Sequence, residues 1–89
     1  MDIEFDPAKD VINLGKHGVS LAFGAKVFDD RRATIIKSER EIDGEKRRKA
    51  IGLVEGRLWT AVFVERGTAI RFISVRRSND GEHRIYYRP

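Results

Sequence analysis

Residues 65–87 read ERGTAIRFISVRRSNDGEHRIYY, and this stretch decides the predicted fold. The alternating apolar residues after Gly67 predict the second strand of a β-hairpin, and Asn79 with Glu82 three residues later predicts the capped start of a last helix. The stretch holds five arginines, namely Arg66, Arg71, Arg76, Arg77 and Arg84. Because a guanidinium group can bind a phosphate with two parallel hydrogen bonds, arginines gathered at one end of a sheet would suit a polyanion.

Two helices are predicted near the N-terminus. Asp6 and Pro7 are residue types preferred at the N-cap and the first position of a helix, and Gly18 suits its end. Helical spacing predicts that four small or apolar residues of this helix face the core, namely Ala8, Val11, Ile12 and Gly15. Ser20 is expected to cap a shorter second helix, whose candidate core residues are Ala22, Phe23, Val27 and Phe28.

Four strands are predicted after these helices, in addition to a short extended start at residues 3–5. They cover residues 33–36, 46–53, 58–65 and 69–76, with a polar loop over 39–45 that contains the turn signal Asp43-Gly44. Residues 58–64 are apolar on both faces, which places their strand mid-sheet. The order β-α-α-β-β-β-β-α predicts one α+β domain over residues 1–89, an antiparallel sheet of four to five strands with two N-terminal helices and one C-terminal helix.

Composition limits the kinds of protein that the chain can be. A chain of 89 residues has room for one core, and the lack of cysteine excludes disulfides and thiolate metal sites. No apolar run approaches the ~20 residues that cross a bilayer, and the acidic start lacks the pattern of a signal peptide. We therefore expect a cytoplasmic protein without membrane contact.

The charge is unevenly distributed along the chain. Residues 1–30 carry a net charge of −3 and residues 31–89 a net charge of +7, and the sequence pI is near 9.8. This balance favours binding to nucleic acid, although the same basic surface would also attract an acidic protein.

The arginines have both a functional and a structural interpretation. Arg66, Arg76 and Arg77 would form a phosphate clamp, or they would simply keep an exposed sheet edge soluble. Strand alternation places Arg71 on the face of Ile73 and Val75, where it could reach an RNA phosphate or cover apolar surface with its stem.

Other side chains could also act on or bind RNA. Histidine titrates near neutral pH, so His17 could carry a proton, although a cation at a helix C-terminus also stabilises the helix dipole. Glu82 could be a general base, but capping already explains it. One of Tyr86 and Tyr87 should be buried, and we expect Tyr87 to pack on the sheet or to stack on bases. The basic run at residues 46–49 alternates faces, and is either a weak RNA attractor or a solvated strand start.

Four features together resemble the BrnT toxins, the ribonuclease toxins of BrnT/BrnA type II toxin–antitoxin systems. They are FDPAKDVINLGKHGVS at residues 5–20, VFDD at 27–30, AIGLVEGRLWTAVFVERGTAIRFISVRRS at 50–78, and the spacing of Glu82 and Tyr86. The resemblance implies a compact RelE-like fold and a cytoplasmic endoribonuclease that needs neither metal nor cofactor. It also implies a BrnA-like antitoxin that neutralises the toxin, assembles with it as a heterotetramer through an antitoxin dimer, and alone contacts operator DNA.

We hypothesise a role for each of several residues, of which the resemblance supports Arg66, Arg76, Arg77 and His17. The 2′-hydroxyl of the RNA would attack the adjacent phosphate, with Arg66 and Arg76 stabilising its charge and His17 carrying a proton. Arg77, Arg71, Arg84 and Tyr87 would bind the RNA. Arg66→Ala and Arg76→Ala are expected to abolish cleavage with little change in stability.

Two departures leave an alternative open. The second helix opens as Ser20-Leu21-Ala22-Phe23, where relatives usually carry a hydrophobic residue followed by glutamates. Asp80 and Gly81 remove positive charge from the start of the last helix. A non-catalytic basic module that binds RNA or a protein partner, an inactive toxin homologue, is therefore the second hypothesis.

Overall fold

The computed structural model describes the backbone of residues 1–42 and 45–89, and the side chains of residues 1–38 and 46–89. The elements in chain order are β1 (Asp2–Glu4), α1 (Pro7–His17), a 3₁₀ turn (Leu21–Phe23) that continues into α2 (Gly24–Phe28), β2 (Thr34–Ile42), β3 (Glu45–Val54), β4 (Arg57–Arg66), β5 (Ala69–Arg77) and α3 (Asp80–Tyr86). This order confirms the predicted α+β fold. The predicted turn at Asp43-Gly44 lies outside the described residues. Among the described residues, no helix has the length and apolar character needed to span a membrane.

The described strands form one sheet in the order β1-β5-β4-β3-β2. The pairing is antiparallel except that β1 runs parallel to β5. β4 lies in the centre, and its residues 58–64 are buried, as predicted. The polar loop expected over residues 39–45 is wrong, because β2 continues to Ile42 and β3 starts at Glu45. Strand pairing satisfies backbone hydrogen bonds whatever the polarity of the side chains, so a polar stretch need not end a strand.

The two faces of the sheet carry different helices. On one face, here called the α2 face, Trp59, Ala61, Phe63, Phe72 and Val75 pack with the 3₁₀ turn and α2 in the main core. On the other, the α3 face, Ile51 and Leu58 pack against Tyr86 of α3. The sheet is therefore the middle layer of the protein, and α3 is the helix that borders any site on the second face.

A β-bulge in β5 changes which residues share a face. Val62 pairs with Ser74 and Phe63 pairs with Phe72, so Ile73 is an extra residue. As a result Phe72 and Val75, three residues apart, both point into the main core. The expectation that Arg71 shares a face with Val75 is therefore wrong. Arg71 lies on the α3 face, because its partner Val64 alternates with the core residue Phe63.

Helix α1 lies along the edge of β5 and turns its polar side toward the sheet. β1 pairs with β5 only over residues 69–71. The backbone N–H and carbonyl groups along the rest of that edge therefore need other hydrogen-bond partners. The Asn13 amide is one such partner: its oxygen accepts from the Val75 N–H at 3.0 Å and its nitrogen donates to the Val75 carbonyl at 2.9 Å. A third bond from Asn13 reaches the Val19 carbonyl at 2.9 Å. Asn13 is thus the buried residue of α1.

The predicted core residues of the first helix are therefore wrong. Ala8, Val11, Ile12 and Gly15 are all exposed. In the next segment Ala22 is also exposed, whereas Leu21 is fully buried beside Val27, and Ser20 makes no capping hydrogen bond. Periodicity predicted the helix correctly but not which of its sides faces the sheet. That side is determined by the backbone groups of β5, which lie far along the chain.

Candidate nucleic-acid interface

An open groove of about 530 Å³ lies on the α3 face beside the start of α3. Ile36, Val62 and Ile73 contribute apolar surface to it, and Ser38 and Ser74 contribute hydroxyl groups. Among the described lining residues, four are cationic and one is acidic: Lys37, Arg47, Lys49, Arg76 and Glu82. A groove with this balance of charge attracts a polyanion and concentrates it near the surface.

The alternation of β3 delivers two of these cations to the groove. Arg47 and Lys49 are two residues apart and therefore point to the same face, where they line the groove. Arg48 points to the opposite face and forms an exposed ion pair with Glu65 at 3.1 Å. Arg47 has no hydrogen-bond or ion-pair partner among the side chains that the structure describes. It is thus the guanidinium group of the groove that is most available to a ligand.

Glu82 is the centre of a polar network at one end of the groove. Glu82 is 3% exposed, and its two carboxylate oxygens accept from Arg76 at 2.7 and 2.9 Å. Thr60 donates at 2.9 Å and Lys49 at 3.4 Å. Burial alone would raise the pKa of Glu82, but the hydrogen bonds from Arg76, the Asn79 N–H and Thr60 lower the pKa to about 2. The carboxylate is therefore ionised at neutral pH and joins β3, β4, β5 and α3.

The same glutamate completes the predicted capping box of α3. The Asn79 side chain accepts from the Glu82 N–H at 2.9 Å, and the Glu82 carboxylate accepts from the Asn79 N–H at 3.0 Å. Capping is thus confirmed as a role of Glu82. Its contacts with three strands could not be predicted from local sequence, since a capping box depends only on residues three apart.

Arg76 is held rigidly rather than left free at the strand exit. The hydrogen bond to Glu82 raises the pKa of Arg76, and burial opposes this only in part. Its Nη1 group also donates to the Arg77 carbonyl at 3.3 Å. These contacts fix the guanidinium group of Arg76 at the wall of the groove. Its Nε–H group takes part in none of the three hydrogen bonds.

The expectation that Arg66, Arg76 and Arg77 gather at one end of the sheet is wrong. Arg76 pairs with Thr60 and Arg66 pairs with Ala69, so the two arginines are six residues apart along β4. At 3.3 Å per residue, this is a separation of about 20 Å. Arg77 pairs with Trp59 and lies over its ring at 5.6 Å, on the α2 face. In an antiparallel hairpin, the start of the first strand and the end of the second strand lie side by side, and the turn lies at the other end of the strands. Arg66 is at the turn, whereas Arg76 is at the open end.

Arg71 lies on the α3 face but near the hairpin turn. Its Nη1 is 3.5 Å from a carboxylate oxygen of Glu4 in β1. This contact ties the edge strand to β5, a role that neither interpretation of Arg71 from the sequence included. Arg71 does not line the groove that contains Arg76.

The last helix buries Tyr86 instead of Tyr87. Tyr86 is 9% exposed and Tyr87 is 60% exposed, so one tyrosine is buried as expected, but the packing predicted for Tyr87 is wrong. The Tyr86 hydroxyl donates to Asp30, and burial together with this bond raises the pKa of Tyr86 to about 12. Burial would raise the pKa of Asp30, yet bonds from the Leu53 N–H and from Tyr86 lower it. Arg84 on α3 and Tyr87, the residue after α3, are both exposed.

His17 lies at the end of α1 beside a second, smaller cleft. Lys9, Lys16, Ile73 and Ser74 line this cleft with His17. Ile73 and Ser74 also line the cationic groove. The cleft with His17 and the groove with Arg76 therefore share these two residues of β5. The structure thus brings His17 toward the groove that contains Arg76 but does not bring Arg66 there.

Comparison with protein families gives one match that covers most of the chain. The family is described as "Ribonuclease toxin, BrnT, of type II toxin-antitoxin system", and the match covers residues 5–82. A comparison with curated proteins gives no match. The matched range includes α1, the strands β2 to β5 and the Glu82 network. The chain therefore belongs to the family of BrnT ribonuclease toxins of type II toxin–antitoxin systems.

Proposed function

We propose that this toxin binds RNA in the cationic groove and cleaves it without a metal ion. The proposal rests on one observation: Glu82 fixes Arg76 in place in the lining of a groove. The same groove is lined by Arg47, Lys49 and Lys37. Single-stranded RNA is bound through its phosphates by such grooves. Exposed Tyr87 and Arg84 on the adjacent helix are proposed to contact the flanking nucleotides.

In the proposed reaction, the nucleophile comes from the substrate. The 2′-oxygen attacks the neighbouring phosphorus and the bond from phosphorus to the 5′-oxygen breaks, which leaves a cyclic 2′,3′-phosphate and a 5′-hydroxyl. The protein must orient the phosphate and stabilise the charge that develops on it. One well-placed donor contributes about 3 kcal/mol to such stabilisation. The Nε edge of Arg76 and the whole guanidinium of Arg47 are proposed to supply these donors.

The proton transfers need a group other than Glu82. With a pKa of about 2 and donors around both oxygens, Glu82 is a poor base at neutral pH. Its proposed role is to hold Arg76 in place. His17, which borders Ile73 and Ser74 from the side of α1, is proposed to take the proton from the 2′-hydroxyl, and a solvent water molecule is proposed to protonate the departing 5′-oxygen.

The position of Arg66 changes its proposed role. About 20 Å along β4 from Arg76, it is too far away to share one phosphate with it. Arg66 and Arg71 lie on the same face as Arg76, at the turn end of the hairpin. Both are therefore proposed to contact the RNA backbone away from the reacting phosphate. Arg77, on the α2 face, is not proposed to contact RNA in the groove.

The partner of the toxin is proposed to be a BrnA-like antitoxin with a DNA-binding domain. Membership in a type II family supports a protein antitoxin. We further propose that an antitoxin dimer joins two toxins in a heterotetramer and that this complex represses its own operon through the antitoxin.

Cleavage of end-labelled RNA by purified toxin in excess chelator tests the proposal. We expect products with cyclic 2′,3′-phosphate and 5′-hydroxyl ends, and loss of cleavage in Arg47→Ala. Arg57→Ala is the control, because Arg57 is exposed at the start of β4 and does not line the groove. A requirement for a divalent metal would contradict the mechanism.

One observation favours the second hypothesis, a module that binds RNA without cleaving it. Arg66, Arg76 and Arg77 do not converge on one point, so a catalytic clamp of these three cannot form. The same chelator assay separates the hypotheses, because a binding module would shift the RNA in a gel and leave it intact.

A further inference from the structure

One side of helix α1 lines the smaller cleft and carries all the basic residues of the helix. Five residues of α1 line this cleft of about 210 Å³, at positions i, i+3, i+4, i+7 and i+8: Lys9, Ile12, Asn13, Lys16 and His17. This spacing is that of a single side of a helix. Asp10, the one acidic residue of α1, instead accepts a hydrogen bond from the Leu21 N–H at 2.6 Å. The described lining of the cleft therefore holds basic side chains and no acidic one.

Buried hydrogen bonds hold this side of α1 against β5. Asn13 is in the middle of the five residues, and its amide bonds to the N–H and the carbonyl of Val75 at 3.0 and 2.9 Å. Lys9 comes four residues before Asn13 and Lys16 three residues after it, so both lie on its side of the helix. Both lysines are exposed, and neither has a hydrogen-bond or ion-pair partner among the described residues. Two available ammonium groups are thus held beside the edge of β5.

The smaller cleft and the cationic groove meet at the bulge of β5. Ile73, the extra residue of the bulge, and Ser74 line both of them. Bulges are frequent next to active sites, where they redirect side chains. Lys37 on β2 and Arg47 on β3 line the far part of the groove. The groove and the cleft together therefore form one basic path, which crosses the sheet from β2 over β5 to α1.

We propose that Lys9 and Lys16 bind backbone phosphates of the RNA beside the phosphate that is cleaved. This inference rests on the proposed binding of RNA in the groove and adds where the neighbouring nucleotides lie. The two lysines are seven residues apart, or about 10 Å along the helix axis, so each is assigned to a different phosphate. Lysine suits this role because its ammonium group acts as a point charge and needs no fixed bonding geometry.

The test measures RNA affinity and its salt dependence for toxins altered in the smaller cleft. The probe is a labelled single-stranded RNA of about twelve nucleotides, carrying 2′-O-methyl groups that prevent cleavage, followed by fluorescence anisotropy. The variant is Lys9→Gln with Lys16→Gln, since glutamine keeps helix propensity and both lysines are exposed. The control is Lys26→Gln with Arg57→Gln, which removes the same charge from exposed residues that line neither the groove nor the cleft.

We expect the variant to lower the slope of log affinity against log salt by about 1.4, or about 0.7 for each phosphate no longer neutralised. Its affinity at about 0.1 M salt should fall about tenfold, and that of the control should stay within about twofold. Lys9→Arg with Lys16→Arg should keep the wild-type slope, because arginine keeps the charge. An unchanged slope in the glutamine variant would overturn the proposal, and so would an equal fall in the control.

An RNA dinucleotide with a single phosphate separates the flanking phosphates from the one that is cleaved. The glutamine variant should bind a 2′-O-methyl dinucleotide as tightly as the wild type does, measured by competition with the labelled RNA. A loss of affinity as large as that for the longer RNA would overturn the proposal, since it would not depend on flanking phosphates. A loss of antitoxin affinity with unchanged RNA affinity would also overturn it and would assign both lysines to the protein partner.

The test of the smaller cleft and the test of the proposed function can fail separately. The probe RNA cannot be cleaved, so its binding does not depend on nuclease activity. A lower slope in the lysine variant with an unchanged slope in Arg47→Ala would support phosphate binding in the cleft and contradict RNA binding in the groove. A lower slope in Arg47→Ala with an unchanged slope in the lysine variant would contradict only the cleft proposal.

Discussion

Helices α1 and α3 flank the same sheet but use opposite kinds of side chain to attach to it. α3 buries Tyr86 against Ile51 and Leu58 and adds the ion pair of Glu82 with Arg76. α1 attaches through the amide of Asn13 and leaves its apolar residues in solvent. The difference reflects what each helix meets, since a sheet face offers apolar side chains whereas a sheet edge offers backbone groups that need hydrogen bonds.

The largest change in unfolding free energy is expected at the ion pair that attaches α3 to the sheet. Glu82→Ala removes the partner of Arg76, Thr60 and the Asn79 N–H, and breaking a buried ion pair typically costs about 3–5 kcal/mol of unfolding free energy. Urea unfolding measures this cost, with Glu65→Ala as the control. Glu65 forms an exposed pair, so its removal should cost under about 1 kcal/mol. Equal losses in the two variants would contradict the account of α3.

Arg76→Ala should also destabilise the protein, for the same reason. Among the described side chains, it would leave Lys49 as the one cation paired with the buried Glu82 carboxylate. This replaces the expectation from the sequence that Arg76→Ala affects cleavage but not stability. The cleavage loss in this variant must therefore be corrected for the unfolded fraction before Arg76 is assigned a role in the reaction.

Acid should weaken the attachment of α3. The pKa of Glu82 is about 2 in the folded protein, below the ordinary value of 4.5, so the stabilisation is fully present above pH 4.5 and is lost as the pH falls toward 2. Linkage converts this difference into about 3 kcal/mol. Unfolding free energies measured between pH 5 and pH 2 should show the fall, and Glu82→Gln should show a smaller one. The same slope in both proteins would assign the fall to other carboxyl groups.

On α1, the buried Asn13 should contribute more to the unfolding free energy than the exposed apolar residues. Asn13→Ala removes three hydrogen bonds and leaves the backbone groups of Val75 unpaired, at an expected cost of about 2–3 kcal/mol. Val11→Gln should change stability by less than about 0.5 kcal/mol, because Val11 is exposed. Thermal unfolding of both variants checks this order, and the reverse order would mean that α1 packs its apolar side inward.

Local rules predicted the features that depend on neighbouring residues. Asp6 with Pro7 and Asn79 with Glu82 begin helices where expected, because a cap needs only residues within one turn. The exposed side of α1, the bulge at Ile73 and the strand partners of Glu82 depend on residues far apart in sequence. The same holds for the arginines: their presence was visible, but the separation of Arg66 from Arg76 follows from hairpin register.

A smaller effect than that of Asn13→Ala is expected at the cap of α3. Asn79→Ala removes the acceptor for the Glu82 N–H and should cost about 1 kcal/mol. Asp6→Ala removes the matching acceptor for the Ala8 N–H at α1 and is the paired measurement. If the two caps cost the same, the difference between the helices lies in their attachment to the sheet. A far larger loss at Asn79 would show that the cap and the Glu82 network act as one unit.

The salt dependence of RNA affinity tests the central claim, that RNA phosphates bind in the groove beside α3. The slope of log affinity against log salt shrinks by about 0.7 for each phosphate of single-stranded RNA that the protein no longer neutralises. We predict that Arg47→Ala lowers the slope by about that amount relative to the wild type, while Arg57→Ala, outside the groove, leaves it unchanged. Equal slopes for the wild type and Arg47→Ala would contradict the claim.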